Sequence, residues 1–144
     1  MKTPFFLTIL LAALCGSGCA PDCSPQVRDG WIRLGPASMP MMAGFGRIEN
    51  RCPTPITITS ARSAAFADTS LHETRIVGGM SRMREVSELR VAPDDAAVLK
   101  PGGLHLMLMQ PRAPLKAGSK IAVEFELSDG RTLLGEFEVR KPVL

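Results

Sequence analysis

Short segments that alternate apolar and polar residues constrain the fold of this chain more than any other feature. The clearest pair flanks Ser128-Asp129-Gly130-Arg131, where Ile121-Ala-Val-Glu-Phe-Glu-Leu and Thr132-Leu-Leu-Gly-Glu-Phe-Glu-Val alternate apolar with acidic residues. A period of two is typical of a half-exposed β-strand, and Asp-Gly between two such segments predicts a β-hairpin.

Similar segments rich in Val, Ile, Thr and Phe recur along the chain between Gly, Pro, Asn and Asp residues. No stretch of ten or more residues has a helical period. This pattern predicts an all-β sandwich or barrel. The predicted strands are residues 26–34, 43–50, 55–63, 69–77, 81–85, 96–100, 104–109, 120–127 and 132–139.

Composition indicates one globular domain. The chain has 144 residues, of which 45% are hydrophobic and 22% are charged, so it can bury a core and is not of the disordered type. Its net charge of +3 is spread along the chain without a run of Lys or Arg. A nucleic-acid partner is therefore not expected, because such proteins concentrate their basic residues in a patch.

The first twenty residues predict an export signal. A positive charge at Lys2 precedes an apolar stretch at 4–14, and small residues follow at 16–20. The stretch is short for a membrane span. Cleavage after Ala20 would leave residues 21–144 as one domain, whereas lipidation of Cys19 would anchor that domain to a membrane. In either case the mature protein is expected in the periplasm.

Export affects how the remaining cysteines are interpreted. Cys23 and Cys52 are the two that lie beyond the signal, and an oxidising compartment favours their pairing. We predict a disulfide that ties the N-terminal segment to the end of the second strand. The alternative is a pair of thiol metal ligands, but these would be oxidised outside the cytoplasm.

The segment at 102–109 places unusual side chains on one face of a predicted strand. Its leucines at 104, 106 and 108 share one face, and His105, Met107 and Met109 share the other. Imidazole and thioether groups are donors that suit Cu(I). Alternatively, the methionines are apolar filler in a strand that is buried on both faces.

Two further segments are rich in methionine. Ser38-Met39-Pro40-Met41-Met42 is expected in a proline-rich loop between the first two strands, either as a second soft-metal patch or, as we favour, packed or mobile. Gly78-Gly79-Met80-Ser81-Arg82-Met83 predicts a tight connection into a short strand that has Met83 at its middle.

The spacing between two histidines and two methionines carries the most specific signal. Ten residues separate His72 from Met83, twenty-one separate Met83 from His105, and one separates His105 from Met107. This His-X10-Met-X21-His-X-Met pattern resembles the signature of the PCuAC-type periplasmic copper chaperones. The flanking segments Leu71-His-Glu, Ser81-Arg-Met-Arg-Glu-Val and Leu99-Lys-Pro-Gly-Gly-Leu-His-Leu-Met-Leu-Met are also similar, and the similarity extends from about residue 27 to 140.

The resemblance implies a cupredoxin-like Greek-key β-sandwich that binds one Cu(I) through His72, Met83, His105 and Met107. It implies transfer of the ion to the Cu-A centre of cytochrome c oxidase subunit II or to another periplasmic copper protein, without enzymatic chemistry. Met80 and Met109 lie near these residues and are possible accessory ligands. The chain departs from the family at Glu73, where the signature often allows methionine.

Donor chemistry agrees with the resemblance. Two imidazoles and two thioethers are neutral donors suited to a monovalent d¹⁰ ion, whereas Mg²⁺ and Ca²⁺ prefer oxygen and Zn²⁺ prefers thiolate or more imidazole. A blue-copper electron carrier would need a cysteine thiolate, and no cysteine follows Cys52. A periplasmic copper buffer without a dedicated oxidase partner is the alternative to a delivery chaperone.

Overall fold

A computed structural model describes residues 23–36 and 38–143. The predicted signal at 1–20, with Cys19, lies outside these residues. Within them the chain forms β-strands and no α-helix, so no described helix is long and apolar enough to cross a membrane. The strands are β1 (Gln26–Arg33), β2 (Met41–Asn50), β3 (Ile56–Arg62), β4 (Phe66–Val77), β5 (Met80–Glu85), β6 (Leu89–Val91), β7 (Asp95–Leu99), β8 (Leu104–Pro111), β9 (Lys120–Leu127) and β10 (Thr132–Arg140).

The strand pattern confirms the all-β prediction, with ends that shift by at most three residues. The hairpin at 128–131 is also confirmed: the Leu127 N–H donates to the Arg131 carbonyl at 2.8 Å. β6 was not predicted, because three residues are too few to show alternation. The loop predicted at 38–42 is wrong for Met41 and Met42, which begin β2 and pair with β8.

The strands form one sheet that folds over a single apolar core. Their order is β5-β4-β8-β2-β1-β10-β9-β3-β6, and β7 pairs with the second half of β2. β1 and β10 are parallel, and the other pairs are antiparallel. The core takes side chains from both halves of this order, including Leu106 and Leu108 of β8 and Val123 and Phe125 of β9. This arrangement is the expected Greek-key β-sandwich.

A two-residue turn sets the register of the β4–β5 hairpin. Gly78 and Gly79 have φ angles of +59° and +78°, and Val77 pairs directly with Met80 across them. A turn with two successive positive φ angles favours glycine, because a Cβ atom is strained there. The Gly-Gly pair therefore determines which residues of β5 lie opposite those of β4.

Two interactions hold the chain just beyond β2. The predicted disulfide between Cys23 and Cys52 is present, with the Cα atoms 5.5 Å apart. The buried Asn50 amide donates to the carbonyls of Thr54, Val91 and Ala92 at 2.9–3.2 Å, and its side-chain oxygen accepts from the Cys52 N–H. The N-terminal segment is thus linked covalently to a corner that is already fixed by hydrogen bonds.

We expect a Cys23→Ser/Cys52→Ser variant to lose about 3 kcal/mol of unfolding free energy, because the cross-link no longer restricts the unfolded chain. Urea denaturation followed by circular dichroism measures this loss. A reducing agent should lower the midpoint of the wild-type protein and leave that of the variant unchanged. Equal wild-type midpoints with and without reductant would contradict the prediction.

Candidate metal centre

The two histidines lie directly opposite each other on adjacent strands. The β4–β8 pairing places His72 across from His105, and their ring centroids are 6.1 Å apart. Opposite residues in an antiparallel pair point to the same face of the sheet. The fold therefore brings together two imidazoles that are separated by 32 residues in the chain, close enough to ligate one ion.

The two methionines of the signature extend this pair along the same face. Met107 follows His105 by two residues on β8, a step of about 7 Å along a strand. Met83 pairs with Thr74, two residues along β4 from His72. Met83, His105 and Met107 line one groove of about 370 Å³. The four predicted ligands thus share one face, and three of them line the groove.

Hydrogen bonding orients the His105 ring. His105 is only 7% exposed, and its Nδ1 lies 2.9 Å from the Gly103 carbonyl oxygen. A carbonyl can only accept, so Nδ1 carries the proton in the neutral ring and Nε2 keeps its lone pair. Metal-ligating histidines commonly use one ring nitrogen in this way to orient the other. The Nε2 atom is therefore the one that can ligate.

His72 is less restricted. It is half-buried, and its Nε2 lies 3.0 Å from the Ser70 hydroxyl. Since a hydroxyl both donates and accepts, His72 keeps this partner in either neutral tautomer. If Nε2 ligates an ion, the ion replaces the Ser70 contact.

The Glu73 carboxylate faces away from these donors. Glu73 follows His72 on β4, so its side chain points to the opposite face. It accepts hydrogen bonds from Arg75 at 3.1 Å and from Arg84 at 2.9 Å, and these two contacts lower its pKa. The departure from the family signature at this position therefore leaves the His and Met face unchanged.

The possible accessory residues fall on different faces. Met109 lies on the face of His105 and Met107, opposite Met41 of β2. Met80 lies three residues before Met83 on β5, so it points to the opposite face of the hairpin. Its ligand role stays a prediction, and this geometry does not favour it.

Sequence reasoning missed Glu85 and did not favour the position that Met41 and Met39 take beside the candidate ligands. Glu85 pairs directly with His72 and shares its face, a position that the Gly-Gly turn register could have revealed. Met41 enters the face through the β2–β8 pairing, and Met39 lines the groove beside it. No local pattern indicates that pairing. In the described parts of the chain, no three His, Cys, Asp or Glu side chains cluster closely enough to hold a metal ion.

Comparison with known proteins identifies one family. The family model described as "Putative lipoprotein LpqE-like" matches residues 26–139. The curated protein "Putative lipoprotein Lxx21020" from Leifsonia xyli subsp. xyli is 38% identical over 108 residues, which make up 74% of this chain and 64% of that protein. The chain thus spans less than two thirds of the length of this relative.

Solved structures agree with the fold. The Cu(I) form of DR1885 from Deinococcus radiodurans is 26% identical, with a TM-score of 0.65 over 90% of this chain and 85% of that one. The apo PCuAC domain from PmoF1 is 16% identical, with a TM-score of 0.67 over 81% and 92% of the two chains. The resemblance to PCuAC domains and the cupredoxin-like fold are thereby confirmed.

In the metal-free protein we expect neutral His105 to be the Nδ1–H tautomer, because the Gly103 carbonyl accepts from that nitrogen. Two-bond ¹H–¹⁵N correlation spectra of the imidazoles distinguish the tautomers. A Ser70→Ala variant is the matched control: it should change the His72 signals and leave the His105 tautomer as it was. An Nε2–H tautomer at His105 would overturn this assignment.

Proposed function

Since this chain belongs to the LpqE-like lipoprotein family, which is of the PCuAC type, we propose that it is an exported copper chaperone. In this proposal His72, Met83, His105 and Met107 bind one Cu(I). The observation that carries the proposal is their placement on one face of β5, β4 and β8, with His72 and His105 in direct opposition. Such neutral, soft donors suit Cu(I).

The relatives support copper as the cargo. DR1885, at 26% identity, has a structure in its Cu(I) form, and a PCuAC domain from PmoF2 has one in its copper-bound form. Sequence identity to the PmoF2 domain is 15%, so that likeness supports the fold alone. Copper binding by this chain rests on its own four donors together with the more similar DR1885.

Exposure of the ligands supports transfer of the ion. Met83 is 50% exposed and lies on the edge strand β5, so an acceptor can approach it directly. Transfer by ligand exchange needs such an accessible ligand, and no covalent bond to carbon is made or broken. We propose that the acceptor is the Cu-A centre of cytochrome c oxidase subunit II. A copper buffer would use the same four residues but would need no dedicated acceptor.

Relatives named as lipoproteins support export and attachment to a membrane through Cys19. In the proposed arrangement, the acylated cysteine precedes the disulfide-bonded Cys23 by only four residues. The β domain would therefore stay close to the membrane surface, on its periplasmic side. This location would bring the copper site near a membrane-bound acceptor.

The copper site can be tested with two methionines of one strand. We expect Met83→Leu to weaken Cu(I) binding and Met80→Leu to leave it unchanged, because the two side chains point to opposite faces of β5. A His72→Ala/His105→Ala variant should lose this site completely. Competition with a chromogenic Cu(I) chelator measures all three. Equal effects of the two leucine variants, or full binding by the double alanine variant, would refute the assignment.

Delivery and buffering differ in the effect of removing the gene. If the protein delivers copper, its loss should lower cytochrome c oxidase activity at limiting copper, and added copper should restore it. The His72→Ala/His105→Ala variant should fail to complement the deletion, whereas Met80→Leu should succeed. Normal oxidase activity combined with raised copper sensitivity would instead identify a buffer.

A further inference from the structure

Two methionines outside the four-residue set face each other beside it. Met41 of β2 pairs directly with Met109 of β8, two residues along from Met107. Residues opposite each other in an antiparallel pair have Cβ atoms about 5 Å apart on one face. Their flexible thioether side chains can therefore approach the same point.

A third methionine lies in the groove beside Met41. Met39 lines the same groove as Met41 and Met107 and is 46% exposed. Its N–H donates to the Pro36 carbonyl at 2.9 Å, and the Gln110 N–H donates to the Pro40 carbonyl at 2.6 Å. These backbone bonds fasten the turn that carries Met39 against the end of β8, where Met109 lies.

The thioethers of this group are not part of the core. On β8 the buried Leu106 and Leu108 face the interior, whereas Met107 and Met109 face outward and are half-buried. Met41 is also half-buried, and Ala43 lies opposite Met107, where a small side chain leaves space in the groove. A packing role alone would be met by leucine, which is the residue used on the other face.

We propose that Met39, Met41 and Met109 form a second Cu(I) site, made only of thioethers, at the β2 end of the groove. The identity of the ion rests on the proposed function, whereas the pairing of Met41 with Met109 and the shared groove of Met39 and Met41 do not. Thioether sulfur selects soft monovalent ions.

The second site would lie beside the first, separated from it by Met107. An ion held by thioethers at the β2 end could exchange onto Met107 and then reach His105 along the same strand. The groove would thus hold two ions. His72, Met83, His105 and Met107 would bind one, and Met39, Met41 and Met109 would bind the other. No proton has to move in this exchange, because the three thioether ligands are neutral.

Titration of the full exported protein with Ag(I), a redox-stable d¹⁰ substitute for Cu(I), tests this proposal. We expect two bound equivalents in the wild-type protein and one in a Met39→Leu/Met41→Leu/Met109→Leu variant, which removes the sulfurs at similar volume. The His72→Ala/His105→Ala variant should keep one equivalent. Met80→Leu, on the opposite face, is the matched control and should keep both.

NMR of ¹³C-labelled methionine ε-methyl groups identifies the sulfurs involved without any substitution. The second equivalent should shift the signals of Met39, Met41 and Met109. A single equivalent in the wild-type protein that is lost in the His72→Ala/His105→Ala variant, or two equivalents in the triple leucine variant, would overturn the second site. A single equivalent that the His72→Ala/His105→Ala variant keeps, and that shifts the Met39, Met41 and Met109 signals, would instead refute the proposed function and leave the second site standing.

Discussion

The register between β4 and β8 is the constraint on which the candidate metal centre depends. His72 meets His105 because Leu71 meets Leu106 and Thr69 meets Leu108 in the same ladder, on the buried face. A shift of one residue would turn the leucines of β8 outward and its histidine into the core. Removing each of those leucine side chains from water stabilises the fold by about 2 kcal/mol. The same register therefore also holds the imidazoles opposite each other. The core sets the geometry of the site on its outer face.

Local patterns in the sequence were enough to predict parts of this arrangement. Alternation at 104–109 assigned His105 and Met107 to one face, and the Gly-Gly turn determines where Met83 falls relative to His72. The direct opposition of the histidines joins strands that are far apart in sequence, so the local pattern did not reveal it. The prediction that His72, Met83, His105 and Met107 belong to one site came instead from their fixed spacing and from the family resemblance.

The start of β2 at Met41 and Met42 was not predicted, for a physical reason. Pro40 and two consecutive methionines lack the alternation that marks a half-exposed strand, so the segment resembled a loop. In the fold, Met42 packs against the core while Met41 shares the outer face with Met109, because the two residues belong to opposite sides of β2. Both are apolar, and the sequence therefore gave no sign of which side was buried. Only the pairing with β8 distinguishes them.

The disulfide explains why a soft-metal site in this domain would rely on methionine. Thiolate is the strongest soft donor among side chains, but Cys23 and Cys52 are joined to each other and lie at the corner after β2. An oxidising compartment favours that bond over a pair of free thiols. Thioethers cannot form disulfides, and they carry no proton that must leave before binding. Imidazoles at 72 and 105 then supply directed nitrogen donors, with His105 oriented by the Gly103 carbonyl. In the proposed site the cysteines therefore serve stability, and copper binding is left to the histidines and methionines.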